Sequence, residues 1–508
     1  MVQNRSSLPA TLYTAEQCRA LDRVAIERFA IPGFRLMQRA GHAVFAEMLQ
    51  RWPGCRSVTV LCGAGNNGGD GLIVAGLAHQ QGLRVQVLTL SAEPYPEQLQ
   101  GEARQAWQWA EAVGVVTHPW RSDIEFAGDV IIDAMLGTGL QGEVRGPVRE
   151  VISRVNQCNR PVIAVDIPSG LCSDSGRVLG AAIKASLTLT FIGLKQGLLT
   201  HQGVDYCGEL LFDGLMVPDE LYEAIPVSGF RTDAEDVAEM LPPRQRSAHK
   251  GLYGHVMVVG GEYGMGGAGL MAAEAAARSG SGLTSLATRP EHISSALARA
   301  PELMVRGVSS GQDVEPLLEK PDVLVVGPGL GQGAWAGQMM QKALASKKAL
   351  VLDADALHFL HNSTVMASVR DGWILTPHPG EAARLLGTDT RSVQDDRFAA
   401  VRELHERYGG TIVLKGAGTL TFDGDVIHLC NAGNPGMACG GMGDVLSGVI
   451  GALLAQGLKP VDAARIGVHS HALAADLCAA QNGERGLLAT DLIAMIRRVL
   501  NGKCHEIG

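Results

Sequence analysis

Two successive α/β domains, each a three-layer stack with a parallel sheet covered by helices on both faces, are what this sequence predicts. Three observations carry the expectation. The chain has 508 residues, long for one domain against the usual ~100–200. Short apolar runs recur along it: Ser57–Cys62, Arg84–Leu90, Val130–Asp133, Pro161–Val165, His255–Val259, Asp322–Val326, Ala349–Leu352 and Thr411–Leu414. Each passes through a Gly-rich or polar turn into a segment of helical type. Uniformly apolar strands alternating with helices are buried on both faces, which is the pattern of parallel sheets. The 64 glycines follow no Gly-X-Y period and fit tight turns at strand ends.

Bulk properties exclude several classes. Apolar residues make up 46 % and charged residues 19 %, below the usual ~25 % charged, so sizeable cores are available. The formal charge of −9 argues against a nucleic-acid or anionic-membrane partner, which calls for a basic face. A phosphate ligand stays open, because backbone N–H groups can hold one locally. The ten cysteines include no CxxC pair, and the N-terminus has no apolar signal-type region. Reduced thiols and a cytoplasmic location are expected. The uncharged stretch Val445–Leu458 is too short to span a bilayer and reads as a buried helix.

The first helix opens at Thr14-Ala15-Glu16-Gln17, a capping box. The strand–helix pattern then runs to about Gly208 and weakens up to Lys250, where Pro218, Pro226 and the tandem Pro242-Pro243 interrupt it. Tandem prolines favour an extended segment. We place the break within 225–235 and the domains at 1–228 and 229–508.

In parallel sheets ligands sit outside the carboxyl ends of the strands, so each strand end was read for chemistry. Ser57–Cys62 runs into Gly63-Ala64-Gly65-Asn66-Asn67-Gly68-Gly69-Asp70-Gly71, with a helix expected after it. Glycines let the backbone turn and approach a ligand, and the helix start favours phosphate. GxGxxG fits here, but the ribose-binding acid expected after the next strand is missing, since Arg84–Leu90 ends in Thr89-Leu90-Ser91. That disfavours a dehydrogenase. Val130–Asp133 leads to Gly137-Thr138-Gly139-Leu140-Gln141-Gly142-Glu143, and Pro161–Val165 leads to Asp166-Ile167-Pro168-Ser169-Gly170. If these strands are neighbours, oxygens of Asn67, Asp133 and Ser169 converge and suit a hard cation such as K⁺ or Mg²⁺. Each aspartate equally fits a helix cap, and Asp166 also fits an acid or base.

In the second half, His255–Val259 ends in a Gly-rich turn through Ala268, followed by a small-residue helix over Leu270–Ser279. Further strand ends carry Gly327-Pro328-Gly329, Asp353-Ala354-Asp355, Pro377-His378-Pro379-Gly380-Glu381 and Lys415-Gly416-Ala417-Gly418-Thr419. His378 fits a ligand contact or a cap. Lys415 fits a phosphate contact or a surface lysine before a hairpin. The sharpest feature is Gly440-Gly441-Met442-Gly443-Asp444, expected to open a helix over Val445–Leu454. Amides of Gly441, Met442 and Gly443 at a helix start can form an anion hole for a moving phosphoryl group. Asp444 can take a proton from an attacking hydroxyl, or merely cap the helix. No GxxxxGK[ST] occurs, so this is not a P-loop enzyme.

Asn66-Asn67-Gly68-Gly69-Asp70-Gly71, Gly137-Thr138-Gly139-Leu140 and Asp166-Ile167-Pro168-Ser169-Gly170 together resemble the N-terminal domain of the bifunctional NAD(P)H-hydrate repair enzymes, over roughly residues 10–225. The resemblance implies a Rossmann-like epimerase that turns the R hydrate into the S form. Residues 66–70, residues 137–143 and Asp166 would hold the hydrated cofactor, and Asn67, Asp133 and Ser169 would bind K⁺. Lys195 lies in another matching segment, where an ordinary solvated lysine is the plain alternative.

His249-Lys250-Gly251, Gly327-Pro328-Gly329-Leu330-Gly331, His378-Pro379-Gly380-Glu381 and Gly441-Met442-Gly443-Asp444 resemble the NAD(P)H-hydrate dehydratases of the ribokinase-like superfamily, over about residues 235–500. By that resemblance Ala268, Gly329, His378 and Asp444 would contact the hydrate. Lys415, Gly416, Ala417, Gly418, Thr419 and Gly443 would contact an adenine nucleotide, ADP or ATP, with Mg²⁺. The family form Gly-Thr-Gly-Asp is altered here by Met442, which removes a hydroxyl and keeps the amides. Both partners are then small molecules, and a homo-oligomer is expected. Rival readings are a ribokinase-like vitamin kinase, which leaves a stable phosphorylated product, and a non-catalytic binding protein.

Overall fold

The computed structural model describes residues 8–90, 95–241, 243–362 and 372–503. Pro242 of the tandem prolines lies outside them. The chain divides into two compact units, Met1–Gly229 and Phe230–Gly508.

In the first unit, seven strands form one sheet: β1 Ser57–Cys62, β2 Arg84–Thr89, β3 Thr117–Pro119, β4 Val130–Ala134, β5 Val162–Val165, β6 Leu187–Phe191 and β7 Glu209–Asp213. Their order is β3-β2-β1-β4-β5-β6-β7, and every pairing is parallel. This is the doubly wound order, whose direction of winding reverses between β1 and β4. Residues of β1, β4, β5 and β6 are buried throughout, as continuous apolar runs require. Helix α1, Ala15–Glu27, starts with the expected box: Gln17 N donates to Thr14 Oγ1 at 3.3 Å and Thr14 N donates to Gln17 Oε1 at 2.8 Å.

Helix α2, Asn66–Gln80, begins six residues earlier than the sequence reading placed it. The asparagines and glycines after Gly65 are therefore first-turn helix residues and not loop. The glycines serve close packing. A Cβ on Gly68 would sit 2.0 Å from Gly63 O, one on Gly71 2.6 Å from Ala134 Cβ, and one on Gly63 1.9 Å from Met135 O. The helix can lie on β1 and β4 only because those side chains are absent.

The second unit is built on β8 His255–Val259, β9 Leu283–Thr288, β10 Met304–Gly307, β11 Val323–Val326, β12 Ala349–Leu352, β13 Trp373–Leu375, β14 Thr411–Leu414, β15 Thr419–Phe422 and β16 Ile427–Cys430. They neighbour one another in the order β16-β15-β14-β13-β12-β11-β8-β9-β10. Pairings from β14 to β10 are parallel, and the last two strands add antiparallel. The winding reverses between β8 and β11. Helix α3, Gly266–Arg278, starts four residues before the expected Leu270. Helix α4, Met442–Ala455, starts three residues before the expected Val445. The two helices cross so closely that a Cβ on Gly448 would sit 2.1 Å from Ala272 O. The segment read as irregular still contains β7 and a short helix, Ala234–Met240.

Candidate functional sites at the carboxyl ends of both sheets

In the first unit the winding reversal opens a cavity of about 710 Å³. Its wall includes Asn66, Asn67 and Asp70 of α2, Leu136–Gln141 after β4, Asp166 after β5, and Lys195. Gly142 and Glu143 are exposed and outside this wall, and Gly68 and Gly69 are buried in helix packing. Those four are not brought to the cavity.

Asn67, Asp133 and Ser169 do converge, around Leu136. Asn67 Nδ2 donates to Leu136 O at 3.0 Å, and Leu136 N donates to Ser169 Oγ at 2.8 Å. Asp133 is fully buried. It accepts from Ser169 N at 2.7 Å and from Ser169 Oγ at 2.5 Å, so it caps no helix. Burial pushes its carboxyl up to about 6 against these hydrogen bonds. Asn67 Oδ1 is buried and has no hydrogen-bond partner among the described residues. An acceptor left bare inside a protein is costly, and a cation beside it would remove the cost.

Lys195 is no solvated lysine. It is 3 % exposed. Its ammonium donates to Asp166 Oδ1, and to Thr190 Oγ1 and Phe191 O at 3.0 Å each. Burial alone would lower its pKa, yet Asp166, Cys18 and Asp22 together raise it. Asp166 Oδ1 also accepts from Thr190 Oγ1 at 3.1 Å and Phe191 N at 3.2 Å. Asp166 has φ of 66°, a left-handed conformation that a non-glycine residue holds only when its surroundings impose it. Asp70, facing the same space, is pushed well above the carboxylate range by burial, then by Asp166 and Asp22.

In the second unit the strand ends are tied together in sequence. Gly261 N donates to Pro328 O at 3.0 Å and Glu262 N to Gly329 O at 2.7 Å, which joins the loops after β8 and β11. Gly329, at φ 57°, packs against Ala268, whose Cβ would lie 3.0 Å from one added to Gly329. Gly331 N donates to Asp355 Oδ2 at 2.9 Å. Between Asp353 and Asp355, Ala354 holds φ of 47°.

The charged centre is Lys415, which is no surface lysine but an ion-paired one. Its Nζ lies 2.6 Å from Asp353 Oδ1 and 3.8 Å from Glu381 Oε2. Asp353 is 1 % exposed and also accepts from Thr376 Oγ1 at 2.8 Å. A Cβ on Gly443 would sit 3.2 Å from Lys415 Nζ, so the ion pair lies directly under the start of α4. Burial would depress Lys415, but Asp353 and Glu381 raise it instead. Asp353 was visible in the sequence only as a strand-end acid, and its partner lies 62 positions away.

The cap of α4 is Gly441, at φ 94° with no side-chain hydrogen bond. Asp444 is thus inside the first turn and is not the cap. Its side chain makes no hydrogen bond or ion pair with a described residue. Burial, and after it Asp353, pushes it up to about 7. The N–H groups of Met442, Gly443 and Asp444 are first-turn donors with no intrahelical acceptor. Met442 is buried, so its side chain packs inward while its amide stays at the helix start. His378, by contrast, is a cap: its Nδ1 accepts from Gly380 N at 3.0 Å and Glu381 N at 3.3 Å, opening the helix Pro379–Leu386. Its Nε2 edge is half exposed and 3.4 Å from Glu381. The ring is held neutral by burial and by Lys415.

The 415–419 turn rests on Arg397, which the sequence reading missed. This fully buried guanidinium donates to Leu414 O, Lys415 O and Gly418 O at 3.1–3.3 Å. It also donates to Gln394 Oε1 at 2.7 Å, but the carbonyls that make it a support for the turn lie on another strand end, where local sequence does not mark them. Among the described residues, no cluster of three or more His, Cys, Asp or Glu is arranged to hold a metal. No helix among them is long and apolar enough to cross a membrane.

Comparison with known proteins accords with this division. Residues 256–498 match the family model described as NAD(P)H-hydrate dehydratase, and residues 33–197 match that of the YjeF-related protein N-terminus. The bifunctional NAD(P)H-hydrate repair enzyme Nnr of Coxiella burnetii is 49 % identical, covering 96 % of this chain and 99 % of its own. The Escherichia coli enzyme of the same name is 43 % identical, covering 99 % and 96 %. Among solved structures, a ribokinase-like superfamily protein from Enterococcus faecalis is 29 % identical with a TM-score of 0.50, covering 54 % of this chain and 95 % of its own.

Proposed function

The chain belongs to the family of bifunctional NAD(P)H-hydrate repair enzymes, and from that premise we propose which residues carry each reaction. It is an enzyme that repairs hydrated NADH and NADPH. Its N-terminal half interconverts the R and S hydrates, and its C-terminal half dehydrates the S form at the expense of ADP or ATP.

In the C-terminal half Asp444 is the base. The observation that carries this assignment is a carboxyl group without a protein partner, inside the first turn of α4 and above the Lys415–Asp353 pair. Asp444 takes the proton of the ring hydroxyl. The oxygen attacks the terminal phosphoryl group of the nucleotide, and the amides of Met442 and Gly443 stabilise the charge that develops. The phosphate then leaves as the ring nitrogen's lone pair forms the N=C bond. Loss of a proton from the neighbouring ring carbon restores NAD(P)H. Ala268, Gly329 and His378 contact the hydrate, and Gly416, Ala417, Gly418, Thr419 and Gly443 contact the nucleotide. Lys415 acts beneath them through Asp353. Mg²⁺ would be carried by the nucleotide's phosphates, as is usual for this ion.

In the N-terminal half, Asn66, Asn67, Asp70, Gly137–Gln141 and Asp166 hold the hydrate. Asn67, Asp133 and Ser169, with the Leu136 carbonyl, suit K⁺, since Asn67 Oδ1 has no hydrogen-bond partner among the described residues. The ion would neutralise charge next to the substrate's phosphates. We assign the two activities to residues 1–228 and 229–508, in a cytoplasmic homo-oligomer. The nine described cysteines are all free thiols, which fits a reducing compartment.

The test is incubation of mixed epimers with ADP or ATP, Mg²⁺ and K⁺, following both epimers by chromatography. Both should be consumed with return of reduced-nicotinamide absorbance. A stable phosphorylated product would instead identify a small-molecule kinase.

A further inference from the structure

Two carboxyl groups on the wall of the N-terminal cavity, Asp22 and Glu102, are left idle by the assignments above, and of the two Asp22 is the one in electrostatic contact with Asp166 and Lys195. We propose that Asp22 is the acid of the N-terminal reaction, working across the cavity from a base formed by Asp166 with Lys195. The inference rests on the reading of this cavity as the epimerase site.

Helix α1 presents Cys18, Asp22 and Ile26 to the cavity, at i, i+4 and i+8. Ile26 carries no exchangeable proton. Cys18 is buried with its Sγ 3.6 Å from Gly193 O, and burial pushes the thiol up to about 12. Arg19, also on this wall, is a fixed cation. Asp22 is therefore the group on α1 able to move a proton near neutrality. Its carboxyl makes no hydrogen bond or ion pair with a described residue, so no structural task occupies it.

The groups that face Asp22 come from three other segments: Asp166 after β5, Lys195 beyond β6, and Asp70 on α2. Arg23, its neighbour on α1, also acts on it. Asp22 is exposed at the rim of the cavity; the protein packed around that rim raises its carboxyl and Asp166 adds to it, against Lys195 and Arg23, bringing it to about 6. Asp166 is placed differently. Its Oδ1 accepts from Lys195, Thr190 and Phe191, and the residue lines the same cavity. Two carboxyl groups in different surroundings at one site, one tied to an ammonium and one without a hydrogen-bond partner among the described residues, is an arrangement suited to acid–base catalysis.

The chemistry balances. The carbon that changes hand bears the hydroxyl and adjoins the ring nitrogen. Asp22 gives its proton to the hydroxyl oxygen as the C–O bond breaks and the nitrogen lone pair forms an N=C bond, releasing water. A second water adds to the same carbon from the opposite face. The N=C electron pair returns to nitrogen and the surplus proton passes to the Asp166 carboxylate. One water enters, one leaves, and the proton returns to Asp22 through the solvent in the cavity.

The experiment uses the full-length enzyme with K⁺ and no nucleotide, following R-to-S conversion from pH 5 to 8 in wild type, Asp22→Asn and Asp22→Glu. Asp22→Asn should lower kcat by about 100-fold or more, leave KM within about two-fold, and lose the decline in rate that wild type shows above about pH 6. Asp22→Glu should recover at least a tenth of the rate and restore the decline. The unfolding transition of the first unit reports whether each variant is folded, and nucleotide-dependent dehydration of the S hydrate reports that the second unit is unaffected. If Asp22→Asn is unstable, Asp22→Glu decides alone: a shifted acid limb supports the proposal, and an unchanged profile overturns it. Asp22→Asn within about three-fold of wild type, or slow with an unchanged pH profile, also overturns it. A wild type that converts neither epimer would sink the assignment of the cavity itself.

Discussion

Asp444 shows how a single side chain is tuned. At about 7, its carboxyl is poised to act as a base at physiological pH. The charged form is the active one, so kcat/KM for nucleotide-dependent dehydration should rise with pH and level off above about 7. Asp444→Asn should lower it by ~10²–10⁴-fold and abolish the rise. The same shift has a stability consequence. A carboxyl raised in the folded state binds more protons folded than unfolded, so its contribution falls as pH climbs from about 4 through 7. Asp444→Asn should therefore unfold at a higher temperature than wild type at pH 8, read by calorimetry. The Lys415–Asp353 pair makes a second prediction. Lys415→Met leaves a buried carboxylate unpaired and should cost about 3–5 kcal/mol in urea unfolding. Adding Asp353→Asn to it should recover part of that loss, because the uncompensated charge disappears.

At the scale of elements, the glycines divide into two physical classes that the sequence cannot tell apart. Gly448 on α4 faces Ala272 O at a distance where no Cβ fits, whereas Gly267 on α3 has open space. Gly448→Ala should force the two helices apart and destabilise the second unit by about 1–3 kcal/mol. Gly267→Ala should stabilise it by about 0.5–1 kcal/mol through helix propensity. Thermal denaturation of both variants checks the contrast. The helix starts belong to this scale too. Asn66 and Met442 begin their helices before the glycines end, so segments read as ligand-cradling loops are first turns whose amides point at the site. Glycine-rich sequence signals a loop by propensity, and here tertiary packing overrides that propensity.

For the molecule as a whole, the two units Met1–Gly229 and Phe230–Gly508 each carry their own strand-end site. Each fragment should fold with a single cooperative transition. The second alone should retain nucleotide-dependent dehydration of the S hydrate and leave the R hydrate untouched. Exchange of K⁺ for choline should slow R-to-S conversion and spare dehydration, which chromatography of both epimers would resolve.

The sequence by itself determined the fold class and most of the chemistry. Buried parallel strands must be continuous apolar runs, and strand ends that bind ligands must be polar or Gly-rich, so both leave local marks. Asp166, Asn67, Asp133, Ser169 and Asp444, the residues to which the proposed chemistry is assigned, all stand at strand ends marked in that way. Only the tertiary structure decided what depends on partners distant in the chain. It joined Lys415 to Asp353 and Lys195 to Asp166, turned His378 into a cap, set Arg397 beneath the 415–419 turn and aimed Asp22 into a cavity. A lysine or an aspartate reads the same in sequence whether solvated or buried. Its charge state and its role come from the dielectric and the counter-charges that folding places around it.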